Sequence, residues 1–425
     1  MEEKKLSLSQ ALALGLGNII GAGIFVMAGV SITAAGPAAL LAFLITAVYA
    51  MSVGLNNAEL ASVFPKVEGG VYSFALLSLG ETIGFLVGWF RVIGYAISGG
   101  ATALGFSGYL ITTFSFPSFL YFPLAILLII VLIIIDYLGL KLAAEIESIL
   151  VVLNILGLVT FSITALVISG IRLQNFSPFF PHGITGVLTA SNIAFFAYSG
   201  FNTIATLTPS VKEGERTVPK AIVLSLLISA FLYMLVTFSM VDAIGYKNFK
   251  TNSAPLQLVL STIHAPFYVY FFVNLTAILA TITVTLSTII ATERTMVQME
   301  LDNLLPKVKG GKLSILLIIG LVMIASLGLG NVEVIALVSN FGIVFSYMLS
   351  GIEVVVVRHR GLRGVFKSPG FPFVQIISVI LSGVFIYSLG FQSLLIGFVT
   401  LLIGLVIHSI HKEIMRKEGI FTRKK

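Results

Sequence analysis

The sequence predicts an all-α membrane protein with twelve transmembrane helices. Three observations predict it. The 425-residue chain is 57% hydrophobic and 10% charged, with mean hydropathy +1.07. A soluble domain carries about 25% charged residues, so this chain has too little polar surface to face water throughout. Runs such as 121–135 and 314–330 hold no charge at all, and each spanning helix needs roughly 20 mostly apolar residues. These runs are also continuous, whereas barrel strands show segments of about 10 residues with alternating polarity.

The spans are expected near 10–33, 38–63, 82–109, 120–137, 145–170, 185–209, 219–243, 266–292, 313–330, 333–357, 371–389 and 391–411. The first follows a charged start, Glu2 to Lys5, and shows no small-residue cleavage pattern, so it reads as a spanning helix rather than a removed signal. The third opens with Gly84 and Gly88, four apart, the spacing of a helix-packing face. Trp89 and Arg91 beside them read as interfacial or packing residues. The fifth carries Asn154 midway, and the eighth is rich in hydroxyls at Thr281, Thr283, Thr285, Ser287 and Thr288. The twelfth leads into the basic tail 412–425.

Basic residues set the orientation. With a cytoplasmic N-terminus, only Arg172, Lys247 and Lys250 of the 25 Lys+Arg lie outside, leaving 22 inside or at that interface. The positive-inside rule then places both termini in the cytoplasm and supports an even span count. The net charge of +7 is therefore a topology signal and not a nucleic-acid footprint.

Two spans contain unusual interruptions. The first holds Gly15, Gly17, Asn18, Gly21 and Gly23 at membrane depth. Gly17 and Gly21 suit close helix packing. Four glycines with a buried Asn also suit a broken helix, expected at Gly21–Gly23, since irregular backbone survives at that depth only beside protein or a watery cavity. The sixth span holds Ser199-Gly200 and Asn202-Thr203, with Pro209 following. These two spans occupy corresponding places in two five-helix halves, about 10–170 and 185–357, followed by two extra helices at 371–411. Paired interruptions of this kind point to an inverted-repeat transporter. A half-helix that starts at mid-membrane offers free N–H groups and partial positive charge, which suit a carboxylate. One that stops offers free carbonyls for an ammonium. An α-amino acid carries both groups, so the site needs no charged side chain, and none lies in either break.

No cysteine is present, which excludes disulfides and thiolate chemistry. Ser-His-Asp sets, His-Glu-x-x-His and phosphate-binding loops are lacking. An enzyme, a cofactor, a bound metal and ATP-driven transport are accordingly not expected. His408 and His411 have helical spacing but no further ligands near them in sequence. Glu59 reads as a structural ion pair or cap, and Glu353 as structural with Arg358 close by.

Several patches resemble one family. Gly21-Ala-Gly-Ile-Phe25, Ala58-Glu-Leu-Ala61, Phe64-Pro-Lys-Val-Glu-Gly-Gly-Val-Tyr72, Gly84-Phe-Leu-Val-Gly-Trp89, Phe195-Phe-Ala-Tyr-Ser-Gly-Phe201 and Asp302-Asn-Leu-Leu-Pro306 are similar to signatures of amino acid–polyamine–organocation (APC) transporters. Their order along about the first 310 residues makes the resemblance specific. It implies a five-plus-five inverted repeat with broken helices 1 and 6, and secondary transport of α-amino acids by alternating access in the cell membrane. The substrate carboxylate would meet amides at Gly21, Ala22, Gly23 and Ile24, and its amino group carbonyls near Ile19, Phe196, Ala197 and Ser199, with Tyr198 and Phe201 as pocket or gate side chains.

The chain also departs from the family. Pro209-Ser210 stands where many relatives carry Glu-Glu, and Asn154 where some sodium-independent relatives place a Lys. Asn154, Thr281 and Thr283 form the expected coupling region, with proton symport or exchange placed ahead of sodium. A polyamine or organic-cation carrier and a non-transporting amino-acid sensor are the alternatives.

Overall fold

A computed structural model describes residues 5–67, 69–139, 144–249 and 253–417. Lys4, Lys141, Lys250 and the end of the basic tail, invoked above for orientation, lie outside the described residues.

Sixteen α-helices account for most of the described chain: α1 (Leu8–Ile19), α2 (Ala22–Ala35), α3 (Ala39–Val63), α4 (Val71–Leu79), α5 (Glu81–Phe114), α6 (Tyr121–Tyr137), α7 (Ala144–Ser169), α8 (Gly183–Tyr198), α9 (Asn202–Thr206), α10 (Gly214–Ile244), α11 (Pro255–Thr262), α12 (Phe267–Leu301), α13 (Gly311–Leu327), α14 (Val332–His359), α15 (Phe373–Tyr387) and α16 (Phe391–Lys417). Among the described residues, nine segments are long and apolar enough to cross a membrane, and α1, α13 and α15 are shorter apolar helices. The chain is thus a multi-pass helical membrane protein.

Local chemistry explains the ends. Ser7 caps α1 in a reciprocal box with Gln10. The apolar segment Ala22–Val63 turns at Gly36–Ala38, where Gly36 has φ 65, so it forms two helices and not one. Helix α12 runs on to Leu301 instead of ending near 292, because charged residues such as Glu293 and Arg294 stop a membrane span but not a helix. Helices α4 and α11 were not expected; at 9 and 8 residues they are too short to span. The N-terminal segment pairs with the stretch after α9, Leu6 N donating to Ser210 O and Lys212 N to Leu6 O, both at 2.9 Å.

Helix α5 lies at the centre and is mostly buried, whereas α16 is mostly exposed. It packs on α12, α14, α4, α13 and α6. Its glycines permit this: a Cβ on Gly94 would come within 3.1 Å of Ser339 O in α14, and one on Gly105 within 2.8 Å of Val26 in α2. Helix α3 packs on α10, α8 and α15, and α2 on α8.

The expectation that sets Arg358 beside Glu353 changes. Arg358 pairs with Glu59 and not with Glu353: its Nε and Nη2 donate to the two Glu59 oxygens at 2.7 and 2.8 Å, and Ser368 N adds a third donor. Glu353 is fully buried with neither carboxyl oxygen hydrogen-bonded among the described residues. Arg91, read as interfacial or packing, is 3% exposed and packs against the Tyr95 ring. Trp89 does pack, donating to Thr400 O at 2.9 Å and tying α16 to α5.

Candidate functional site

The first span is interrupted at Ile20–Gly21, just before the expected Gly21–Gly23. Helix α1 stops at Ile19, Ile20 has φ −82 and ψ 76, and α2 starts at Ala22 behind Gly21, whose φ and ψ are −131 and −148. No side chain caps α2, so the first-turn amides from Ala22 onward have no partner within the helix. The last carbonyls of α1 face the same gap.

The sixth span is tightened and not broken. Helix α8 ends at Tyr198, one 3-10 turn covers Ser199–Phe201, and α9 continues from Asn202, all in right-handed helical geometry. Local hydroxyls hold the turn: Ser199 Oγ donates to Phe196 O at 3.0 Å and Thr203 Oγ1 to Gly200 O at 2.8 Å. Gly200 is there for contact, because a Cβ on it would lie 1.9 Å from Asn18 O at the end of α1.

Between these segments, α5 and α12 lies a narrow cavity with about 30 Å³ open to water. Asn18, Ile19, Gly21 and Gly23 line it from the first span, Phe196, Ser199, Gly200 and Thr203 from the sixth, Tyr95 and Ser98 from α5, and Val284, Ser287, Thr288 and Ala291 from α12. No charged side chain is among them.

Of the residues singled out from the sequence, Ile19, Gly21, Gly23, Phe196 and Ser199 border this space. Ala22, Ile24 and Ala197 sit beside the breaks without lining it. Tyr198 and Phe201 are fully buried elsewhere: Tyr198 packs on Phe43 and Tyr233, and Phe201 on Tyr347. Thr281 and Thr283 spend their hydroxyls on their own helix, at Ile278 O (2.7 Å) and Ala280 O (3.0 Å). Asn154 is 1% exposed, and its Oδ1 has no partner among the described residues. None of these three lines the cavity.

Two tyrosines went unnoticed in the sequence. Tyr233 of α10 places its hydroxyl 2.7 Å from Ile19 O and 2.9 Å from Ala197 O, joining the two interrupted segments. Its single proton serves one carbonyl at a time. Tyr347 of α14 donates to Ser199 O at 3.0 Å. A tyrosine in an apolar helix gives no local sign of such a partner. The α5 and α12 walls were equally hidden, as Tyr95, Ser98 and Val284 look like ordinary helix residues.

Comparison with known proteins agrees with this picture. Residues 6–409 match the amino acid permease family. The chain is 30% identical to the branched-chain amino acid permease BcaP of Bacillus subtilis (strain 168), over 96% of this chain and 93% of that protein. It is 28% identical to the methylthioribose transporter of the same organism, over 91% and 90%. It is 31% identical to the vacuolar cationic amino acid transporter 4 of Arabidopsis thaliana, over 71% and 53%. Similarity of that extent places this multi-pass helical protein in the amino acid permease family, whose members are transporters and not enzymes.

Proposed function

We propose that this permease moves α-amino acids by secondary active transport, opening the cavity to each side of the cell membrane in turn. One observation carries the reading: the uncapped start of α2 and the carbonyl-bearing residues Ile19, Phe196 and Ser199 meet at one cavity without charged walls. The amides at Ala22, Gly23 and Ile24 suit a carboxylate, because a helix N-terminus carries partial positive charge, whereas that of Gly21 already donates to Ile19 O at 3.0 Å. The carbonyls of Ile19, Ala197 and Ser199 suit an ammonium. Those of Ile19 and Ala197 now share the Tyr233 hydroxyl, so an arriving ammonium takes one and leaves the other to Tyr233.

Helix pairing supports twelve spans built as a five-plus-five repeat. Exchange α1–α2 with α8–α9, α3 with α10, α5 with α12, α6 with α13 and α7 with α14. The contact of α3 with α8 then becomes that of α10 with α1, α5–α14 becomes α12–α7, and α5–α13 becomes α12–α6, all of them present. Even α4 on α5 and α14 becomes α11 on α12 and α7. The basic residues support cytoplasmic termini.

A polyamine or organic-cation carrier fits less well, since no acid lines the cavity. Proton symport or exchange stands ahead of sodium symport, since neither Thr281 nor Thr283 lines the cavity.

The test is thermal stabilisation of the purified protein by the twenty amino acids and common polyamines, followed by uptake into proteoliposomes. A ligand at about a hundred times its Kd should stabilise by about 2.7 kcal/mol. Stabilisation by a group of α-amino acids with saturable uptake is expected. Stabilisation by polyamines alone would overturn the reading, and binding without uptake would leave a sensor.

A further inference from the structure

Arg91 stands ten residues into α5 and is 3% exposed. Its guanidinium lies 4.8 Å from the centroid of the Tyr95 ring. Its Nε and Nη1 have no hydrogen-bond partner among the described residues, and it joins none of the ion pairs found there. Arginine stays protonated in proteins. An unpaired charge at this depth is costly and marks a functional position. The cavity is what it adjoins. Tyr95 lines that cavity, Ser98 of the same helix lines it one turn on, and Tyr347 donates to the cavity residue Ser199. One aromatic residue, Tyr95, therefore touches both a fixed positive charge and the cavity. With the substrate carboxylate at α2, its side chain has the α5 and α12 walls to face. A second unit charge about 8 Å from Arg91, at an effective dielectric constant of about 20, changes binding by roughly thirtyfold.

We infer that Arg91 sets the charge selectivity of the cavity, admitting α-amino acids with uncharged or anionic side chains and rejecting lysine, arginine and polyamines. The inference rests on the amino-acid reading of the site. It separates this chain in substrate from relatives named as cationic amino acid transporters.

The experiment titrates the full-length protein with norleucine, lysine and 2-aminoadipate, whose side chains have similar reach and differ in charge. Lysine should bind the wild type at least about tenfold more weakly than norleucine. In Arg91→Gln the ratio of lysine to norleucine affinity should rise about tenfold and that of aminoadipate to norleucine should fall. Arg91→Lys should keep the wild-type order. A merely structural arginine would shift all three affinities together. An unchanged ratio in Arg91→Gln overturns the inference while leaving the amino-acid site standing. Should that variant fail to fold or to bind norleucine, the wild type decides, and lysine within about threefold of norleucine overturns the inference. If the wild type binds no α-amino acid at all, the site assignment and this inference fall together.

Discussion

Gly23 in the first turn of α2 faces the backbone of Ala197 in α8 so closely that a Cβ on it would lie 2.3 Å from the Ala197 Cα. Gly200 meets Asn18 O in the same manner from the other side. These two contacts fix the distance between the uncapped amides and the facing carbonyls. Gly23→Ala must push α2 away from α8. It should cost about 1–3 kcal/mol through overpacking and weaken ligand binding. Unfolding curves with and without substrate read both effects. An alanine variant of wild-type stability and affinity would show that the contact does not set the site.

Tyr233→Phe removes the one hydroxyl shared by Ile19 O and Ala197 O. Ile19 O keeps the Gly21 N–H at 3.0 Å, so the loss falls on Ala197 O; one buried hydrogen bond contributes about 1 kcal/mol, and the ligand-free protein should lose about that much stability. An amino-acid ammonium can replace the missing donor, so saturating substrate should recover part of the loss. Equal destabilisation with and without substrate would argue against an ammonium site at these carbonyls.

Arg358→Met strands the Glu59 carboxylate, which is 3% exposed. Removing one partner of a buried pair costs about 3–5 kcal/mol. The low end is expected, because the Arg358 side chain is itself 23% exposed. Adding Glu59→Gln should recover part of that loss. A double variant no better than Arg358→Met would mean that Arg358 stabilises through Phe371, over whose ring it stacks at 4.2 Å.

Thr281→Val and Thr283→Val should leave the ion dependence of uptake unchanged, since neither side chain lines the cavity. Asn154→Ala tests the other member of the expected coupling region. Uptake at two pH values, with and without sodium, measures all three. Loss of sodium dependence in either threonine variant would restore a cation site at α12.

A cysteine-free chain allows clean labelling. Lys247 and Lys309 are both exposed. Cysteines placed there should react with an impermeant reagent from opposite sides of the membrane, Lys309→Cys from the cytoplasm. Labelling of both from one side would overturn the assigned orientation.

Much of the helical framework was legible in the sequence, because membrane helices follow from local and additive properties. Apolar runs of sufficient length mark α6 or α10 without knowledge of any neighbour. Glycines at 15, 17, 21 and 23 pointed to an interruption in the first span, and one occurs at Ile20–Gly21. Helices α4 and α11 escaped notice because a span-length criterion passes over short apolar stretches.

The sequence by itself determined that this chain is a helical membrane protein and where a helix would fail first, for hydropathy and glycine content act within one segment. Which groups the interruptions face was decided only by tertiary structure. Ser199-Gly200 reads as flexible in isolation, yet the sixth span merely tightens there, held by Ser199 and Thr203 hydroxyls against the end of α1. Arg358 has Glu353 five residues away on its own helix and still pairs with Glu59, 299 positions off, because α3 brings that carboxylate to it. Tyr233 reaches two carbonyls, and Arg91 one aromatic ring, for the same reason: orphan polar groups in a membrane interior bond to whatever the helix packing sets beside them, and packing is a property of the assembled bundle.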